Sequence, residues 1–219
     1  MSAAPELAVV PDTKPAPGFA LIVSAPSGAG KTSLVRELRR RIPDLELSVS
    51  LTTRAPREGE EDGVHYHFVT VEEFEAAMRG GEMLEHATVF GNLYGTSRAF
   101  VASRLSEGAD IILEIDWQGA QLARQRLKQT VSVMILPPSL DALEQRLLNR
   151  GKDSDEVIAT RLAEARDELG HLDEFEYCII NDDFQAAAAR LESIVVAERQ
   201  RTARHRVREA ELMARLGPG

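Results

Sequence analysis

Apolar and polar positions fall in blocks along the chain, and the length and period of each block predict its element. Ala20 to Val23 is a short continuous apolar run, the pattern of a strand buried on both faces. Leu34, Val35 and Leu38 follow at helical spacing, with Arg36, Arg39, Arg40 and Arg41 on the other face, until Pro43 stops the helix. From Leu45 to about Phe90 short alternating segments take over, at Leu47 to Leu51, Val64 to Val69 and Met83 to Phe90, and predict a small half-buried sheet. Inside this region Thr70 and Glu73 form a capping box for a helix carrying Phe74, Ala77 and Met78, which Gly80-Gly81 closes. Another helix is expected from about Ser97 to Glu107.

Continuous apolar runs return at Ile111 to Ile115 and Val131 to Leu136, separated by a helix from about Gln118 to Lys128. Such alternation predicts buried parallel strands, hence an α/β fold with a parallel core sheet flanked by helices. Beyond Pro137-Pro138, Leu140, Leu143, Leu147 and Leu148 mark a helix ending near Gly151, and a further helix spans about Asp155 to Leu169. Tyr177 to Ile180 reads as a last core strand, and one long helix is expected from about Phe184 to beyond Met213. Residues 1–17 hold four prolines among alanines and predict a disordered tail, so the folded domain is expected to start near Gly18.

The chain of 219 residues, 43% hydrophobic, suits one domain with small inserts. Its net charge of −9 argues against general binding to nucleic acid or anionic membranes, so an anionic substrate would have to meet locally clustered arginines. The single cysteine, Cys178, sits in an apolar run and reads as a small core residue, in keeping with a reducing cytoplasm. No run has the length of a membrane span, and the start lacks a charged-then-apolar signal pattern.

The chemistry begins at Ala25-Pro26-Ser27-Gly28-Ala29-Gly30-Lys31-Thr32, between the first strand and the first helix. Small residues at Gly28, Ala29 and Gly30 let backbone N–H groups turn around a phosphate, and the helix N-terminus adds partial positive charge. Lys31 has the reach for β and γ phosphates, and the Thr32 hydroxyl suits a magnesium ion held with them. Ala25 stands where this pattern has its first glycine. A second rich stretch runs from Ser48 to Phe68. There Arg54 and Arg57 bracket a proline-stiffened turn and offer two planar guanidinium forks to one phosphate, with Tyr66 and Tyr94 as hydroxyl donors.

Together these two motifs resemble the guanylate kinase family, over about Gly18 to Arg199. The resemblance implies a P-loop nucleoside monophosphate kinase that transfers a phosphoryl group from MgATP to GMP. It implies a core of 18–47, 101–139 and 171–219, a GMP-binding module at 48–100 and a lid at 140–170. It places Tyr66 and Tyr94 on the GMP phosphate and maps Ser50, Glu85, Thr96 and Asp116 onto the guanine side. Guanine presents donors at N1 and N2 beside an acceptor at O6, so a carboxylate at Glu85 and a hydroxyl at Ser50 complement it, and adenine shows the opposite pattern. Thr96 replaces a frequent serine and keeps the hydroxyl. Asp116 closes an apolar strand, where its carboxylate suits either the magnesium shell or the acceptor nucleotide.

Arg146 and Arg150 lie four apart on one helix face, with Arg161 on the next helix, so a closing segment could bring several cations over a triphosphate. The resemblance puts Arg146 and Arg150 on ATP phosphates and Asn181 on the adenine side. Asp116-Trp117-Gln118-Gly119 also matches an element of regulatory GTPases, but no Asn/Thr-Lys-x-Asp base motif accompanies it. A guanylate-kinase-like binding module without turnover is the rival from another class, and the intact Gly30-Lys31-Thr32 favours the enzyme. The C-terminal arginines, from Arg199 to Arg215, read as a solvated helix or a subunit contact, and the histidines show no zinc-ligand spacing.

Overall fold

The computed structural model describes residues 17–89, 91–149 and 155–216. All of the expected disordered tail except Pro17 lies outside them, as do Arg150 and Gly151. The chain enters through β1 (Ala20–Ser24), buried throughout, and turns through the glycine-rich stretch into α1 (Lys31–Arg41). Next come β2 (Glu46–Leu47), β3 (Leu51–Thr52), β4 (His67–Phe68), α2 (Val71–Arg79), β5 (Met83–Val89), β6 (Asn92–Ser97) and α3 (Arg98–Ser106). They are followed by β7 (Ile111–Glu114), α4 (Trp117–Arg126), β8 (Thr130–Leu136), α5 (Leu140–Leu148) and α6 (Asp155–Gly170). β9 (Tyr177–Ile180), α7 (Phe184–Arg199), α8 (Thr202–Arg208) and α9 (Ala210–Leu216) complete the described chain.

Among the described residues one sheet runs in the order β2-β7-β1-β8-β9 with every pairing parallel. Strand alternation sends Leu21, Val23, Val133 and Ile135 to a cluster shared with α1 and α7, and Ala20, Ile22, Leu113 and Met134 to one shared with α3 and α4. Because helices cover both faces, β1 has no polar side and reads as a continuous apolar run. Each fully buried leucine or isoleucine here contributes about 2 kcal/mol. A smaller cluster, Leu143, Leu147, Ile158 and Ala165, joins α5 to α6.

A second sheet runs β4-β3-β6-β5, its outer β3–β4 pairing parallel and the others antiparallel. The capping box forms as the sequence predicts: the Thr70 hydroxyl accepts from the Glu73 N–H and the Glu73 carboxylate accepts from the Thr70 N–H at 2.8 Å. Two details differ from the sequence reading. Leu47 belongs to β2 of the large sheet, so Leu47 to Leu51 crosses from one sheet to the other. Asn92–Ser97, where the pattern predicts no strand, is β6, pairing with both β3 and β5.

Two further expectations are corrected. Cys178 is exposed: β9 is an edge strand, and its alternation buries Ile179 while turning Cys178 outward. The single C-terminal helix is divided into α7, α8 and α9. Buried Glu198 accepts from the Tyr177 hydroxyl at 3.0 Å and from Arg201 at 2.8 Å, and this draws the chain back just past the end of α7. Arg199 and Arg204 each donate to Asp110 at 2.8 Å, and Asp110 also accepts from the Phe19 N–H. These arginines therefore hold α7 and α8 to the amino ends of β1 and β7.

Candidate active site

The carboxyl ends of β1 and β7 open into a cavity of about 280 Å3. One wall is the glycine-rich turn. Gly28 and Gly30 have φ of 95° and 99°, a region glycine enters without penalty, and they turn the loop into α1. Behind it, the Asn181 amide donates to the Ala29 carbonyl at 2.7 Å, and a Cβ on Gly30 would stand only 2.5 Å from that amide nitrogen. Arg146 donates to the carbonyls of Ala29 and Asn181, at 3.4 and 2.8 Å. The loop is thus braced from behind while its front faces the cavity. α1 starts with no side-chain cap and no acidic residue in its first turn, which leaves its amide donors for an anion. Lys31 donates to the Ile115 carbonyl at 3.2 Å, and the Thr32 hydroxyl donates to the Glu114 carboxylate.

The facing wall comes from the second sheet and the start of α4. Ser50, Arg57, Tyr66, Glu85 and Tyr94 line it, with Asp116 between the walls. Tyr66 meets Tyr94 edge to face at 5.9 Å, which fixes both rings. Burial pushes the Tyr66 phenol up, so it stays a hydroxyl donor. Glu85 is 3% exposed on β5. Burial raises its pKa to about 7; the neighbouring buried Thr96 hydroxyl, without a hydrogen bond of ordinary geometry, opposes the rise, and the Asp116 charge adds to it. Asp116 Oδ1 caps α4 by accepting from the Gly119 N–H at 2.8 Å.

The glycine-rich loop thus shares one cavity with a facing wall that carries Arg57, two tyrosines and the buried Glu85. The guanylate kinase family model matches residues 18–198. The chain belongs to the guanylate kinase family. The guanylate kinase of Hahella chejuensis is 54% identical over 200 residues, spanning 91% of this chain and 96% of that protein. That of Idiomarina loihiensis is 52% identical over 204 residues, 92% and 97% of the two chains. The crystal structure of guanylate kinase from Anaplasma phagocytophilum superposes with a TM-score of 0.76 at 34% identity, covering 95% of this chain and all of that one. The fold is that of a P-loop nucleoside monophosphate kinase.

Of the guanylate kinase residues expected from the sequence, the loop residues other than Ala29, which is buried in the core, and most of the facing wall meet in the cavity. Arg54 stands just behind it. Its guanidinium donates to Glu60 at 2.9 Å and to the Ala55 carbonyl at 2.7 Å, with the Tyr66 ring centroid 5.4 Å away. Thr96 lies behind Glu85, and Asn181 behind the loop. Arg161 is partly buried on α6, and Arg150 lies outside the described residues.

Two acidic cavity residues escape the sequence reading. Glu114 ends β7 two residues before Asp116, and the Glu-Ile-Asp alternation already puts both acids on one face. Glu168, on α6, has its Oε2 buried without a partner among the described residues, and burial raises its pKa to about 7. Its signal was a glutamate on the apolar helical stripe of Ile158, Leu162 and Ala165.

The raised Glu85 pKa gives a test. A protonated carboxyl accepts poorly, so if Glu85 takes a base N–H, as the family resemblance implies, that donor is held well only above about pH 7. KM for a guanine acceptor is expected to fall about tenfold from pH 6 to pH 8 and then level off. Initial rates across that range check this, and Glu85→Gln should remove that component of the profile.

Proposed function

We infer that the chain transfers the γ-phosphoryl group of ATP to GMP, giving GDP and ADP. The observation that carries the reading is the single cavity in which the phosphate loop faces a buried carboxylate and a hydroxyl, Glu85 and Ser50. Glu85 accepts from N1–H and N2–H of guanine, and Ser50 donates to O6. Asp116 spends Oδ1 on α4 and has Oδ2 for the guanine amino group. Arg57, Tyr66 and Tyr94 hold the GMP phosphate, and Arg54 joins them by leaving Glu60. The phosphate oxygen that attacks is already an anion at neutral pH, so no strong general base is needed. Catalysis comes from positioning and from neutralising charge.

Lys31 exchanges the Ile115 carbonyl for the β and γ phosphates. α5 and α6, with their own small core, act as the lid: Leu143 and Leu147 pack toward Gly28, and Arg146, Arg150 and Arg161 approach the triphosphate on closure. Closure excludes water and so limits ATP hydrolysis. Asn181 braces the loop on the adenine side. The family's use of ATP implies magnesium, and a hydroxyl and a carboxylate meeting at Thr32 and Glu114 are hard oxygen donors that fit it. When bound, magnesium neutralises charge on the β and γ phosphates. The reaction belongs to the cytoplasm, which the single cysteine supports. Among the described residues no helix is long and apolar enough to cross a membrane.

Incubation with γ-labelled ATP and GMP tests the reading. Label is expected in GDP, in equal amount to the ADP formed. Label released as inorganic phosphate at a rate indifferent to GMP would overturn it.

A further inference from the structure

Glu85 reaches the cavity across the first turn of α4, and a single absent side chain makes room for it. A Cβ on Gly119 would stand 2.6 Å from Glu85 Oε2, 3.2 Å from its Cδ and 3.3 Å from Asp116 Oδ1. Gly119 is buried and helical, and its N–H donates to Asp116 Oδ1. The backbone does not need glycine here: its φ is not in the left-handed region, and alanine is the better helix former. The nearest atoms a methyl group would meet are the ends of two site carboxylates. The missing side chain therefore serves the site and not the helix.

We propose that Gly119 is a specificity-determining positioning residue, whose lack of a side chain seats the Glu85 carboxylate against α4 where it can take both N1–H and N2–H of guanine. This rests on the reading of Glu85 as the base-recognising group. Two parallel hydrogen bonds need both carboxylate oxygens in line with both donors, and they weaken steeply once angles fail. A methyl group at 119 pushes Oε2 aside by several tenths of an ångström, toward a place where it still meets one donor but not both. Hypoxanthine differs from guanine only in lacking the 2-amino group. The added methyl group crowds Glu85 Oε2 first and Asp116 Oδ1 next, the two carboxylates assigned to the amino group, so most of the preference for GMP over IMP should be lost.

The experiment measures kcat/KM for GMP and IMP, KM for ATP, and Tm, in the wild type and in Gly119→Ala. The GMP-over-IMP preference is expected to fall at least about tenfold, mainly through KM for GMP, with KM for ATP changed less than about twofold and Tm not lowered. An unchanged preference overturns the proposal. So does a Gly119→Ala protein that fails to fold, because the contacts invoked are with side-chain ends alone. A double-mutant cycle adds a readout that a merely structural role would not move. Glu85→Asp, with its shorter reach, should impair Gly119→Ala less than it impairs the wild type, and additive losses would contradict the seat. Glu85→Gln separates the two levels. If it leaves the GMP-over-IMP preference intact, the reading of Glu85 fails; if it abolishes the preference while Gly119→Ala does not, only the seat fails.

Discussion

Glu85→Gln should lower kcat/KM for GMP about a thousandfold, leave KM for ATP within about twofold of its normal value, and stabilise the ligand-free protein at pH 8. The first effect follows from hydrogen-bond inventory. The carboxylate offers two acceptors to two guanine donors, whereas the amide offers one acceptor and sets an N–H against the other donor. Hydrogen bonds to a charged group are worth about 1.5–3 kcal/mol each, so losing one, setting N–H against N–H in its place and weakening the other to a neutral bond amounts to about 4 kcal/mol. The second follows from position, because Glu85 sits on β5 in the wall that faces the phosphate loop.

The third effect comes from proton linkage at Glu85. Burial raises the Glu85 pKa in the folded protein from 4.5 to about 7. Between those values the folded form holds a proton that the unfolded chain has released, so stability falls as pH rises through that window. By pH 8 the ionised carboxylate lowers stability by about 3 kcal/mol relative to a neutral group. Glutamine carries no charge, so Glu85→Gln should raise Tm at pH 8 and lose that advantage near pH 5. Thermal melts at the two pH values, beside initial rates with GMP, check both halves. A variant that loses GMP turnover without any pH-dependent gain in stability would show that Glu85 is not the destabilising, buried acid described.

The second large effect is expected at Lys31. Lys31→Ala should reduce turnover at least about a thousandfold while GMP still binds, because in the proposed reaction the lysine neutralises charge on the transferring phosphoryl group, and among the described residues its hydrogen bond goes to the Ile115 carbonyl, not to the acceptor wall. A subtler consequence follows from its neighbours. The Lys31 charge holds down the pKa values of both Glu85 and Glu168. With the cation gone both carboxyls protonate at higher pH, and the pH at which GMP affinity levels off should move upward. Calorimetric titration of GMP into Lys31→Ala across pH 6 to 9 measures this. Near-normal turnover, or a midpoint that stays in place or moves down, would contradict the arrangement.

What the sequence revealed follows from how local each signal is. The phosphate loop is a contiguous run set between a strand and a helix, so its chemistry could be read directly, as could the capping box at Thr70 and Glu73. Glu85, Ser50 and Asp116 look like ordinary acids and a serine in isolation, and only the resemblance gathered them; the fold does so by bringing β5 over the first turn of α4. Glu168 acquires its meaning from burial beside Asp116 and Lys31, far away in sequence. Cys178 reads as a core residue because four apolar residues do not reveal that β9 is an edge strand with one exposed face. No glycine or proline marks the end of α7, where Glu198, Tyr177 and Arg201 divide the helix through tertiary contacts.

In the proposed function one cavity combines ATP use with selection of guanine. The most direct test measures ADP formation from ATP with magnesium and GMP, AMP, CMP or UMP in parallel. Rapid turnover is expected with GMP, and at least about a hundredfold lower kcat/KM with each of the others. Comparable rates with AMP and GMP, or no turnover with GMP despite its binding, would contradict it.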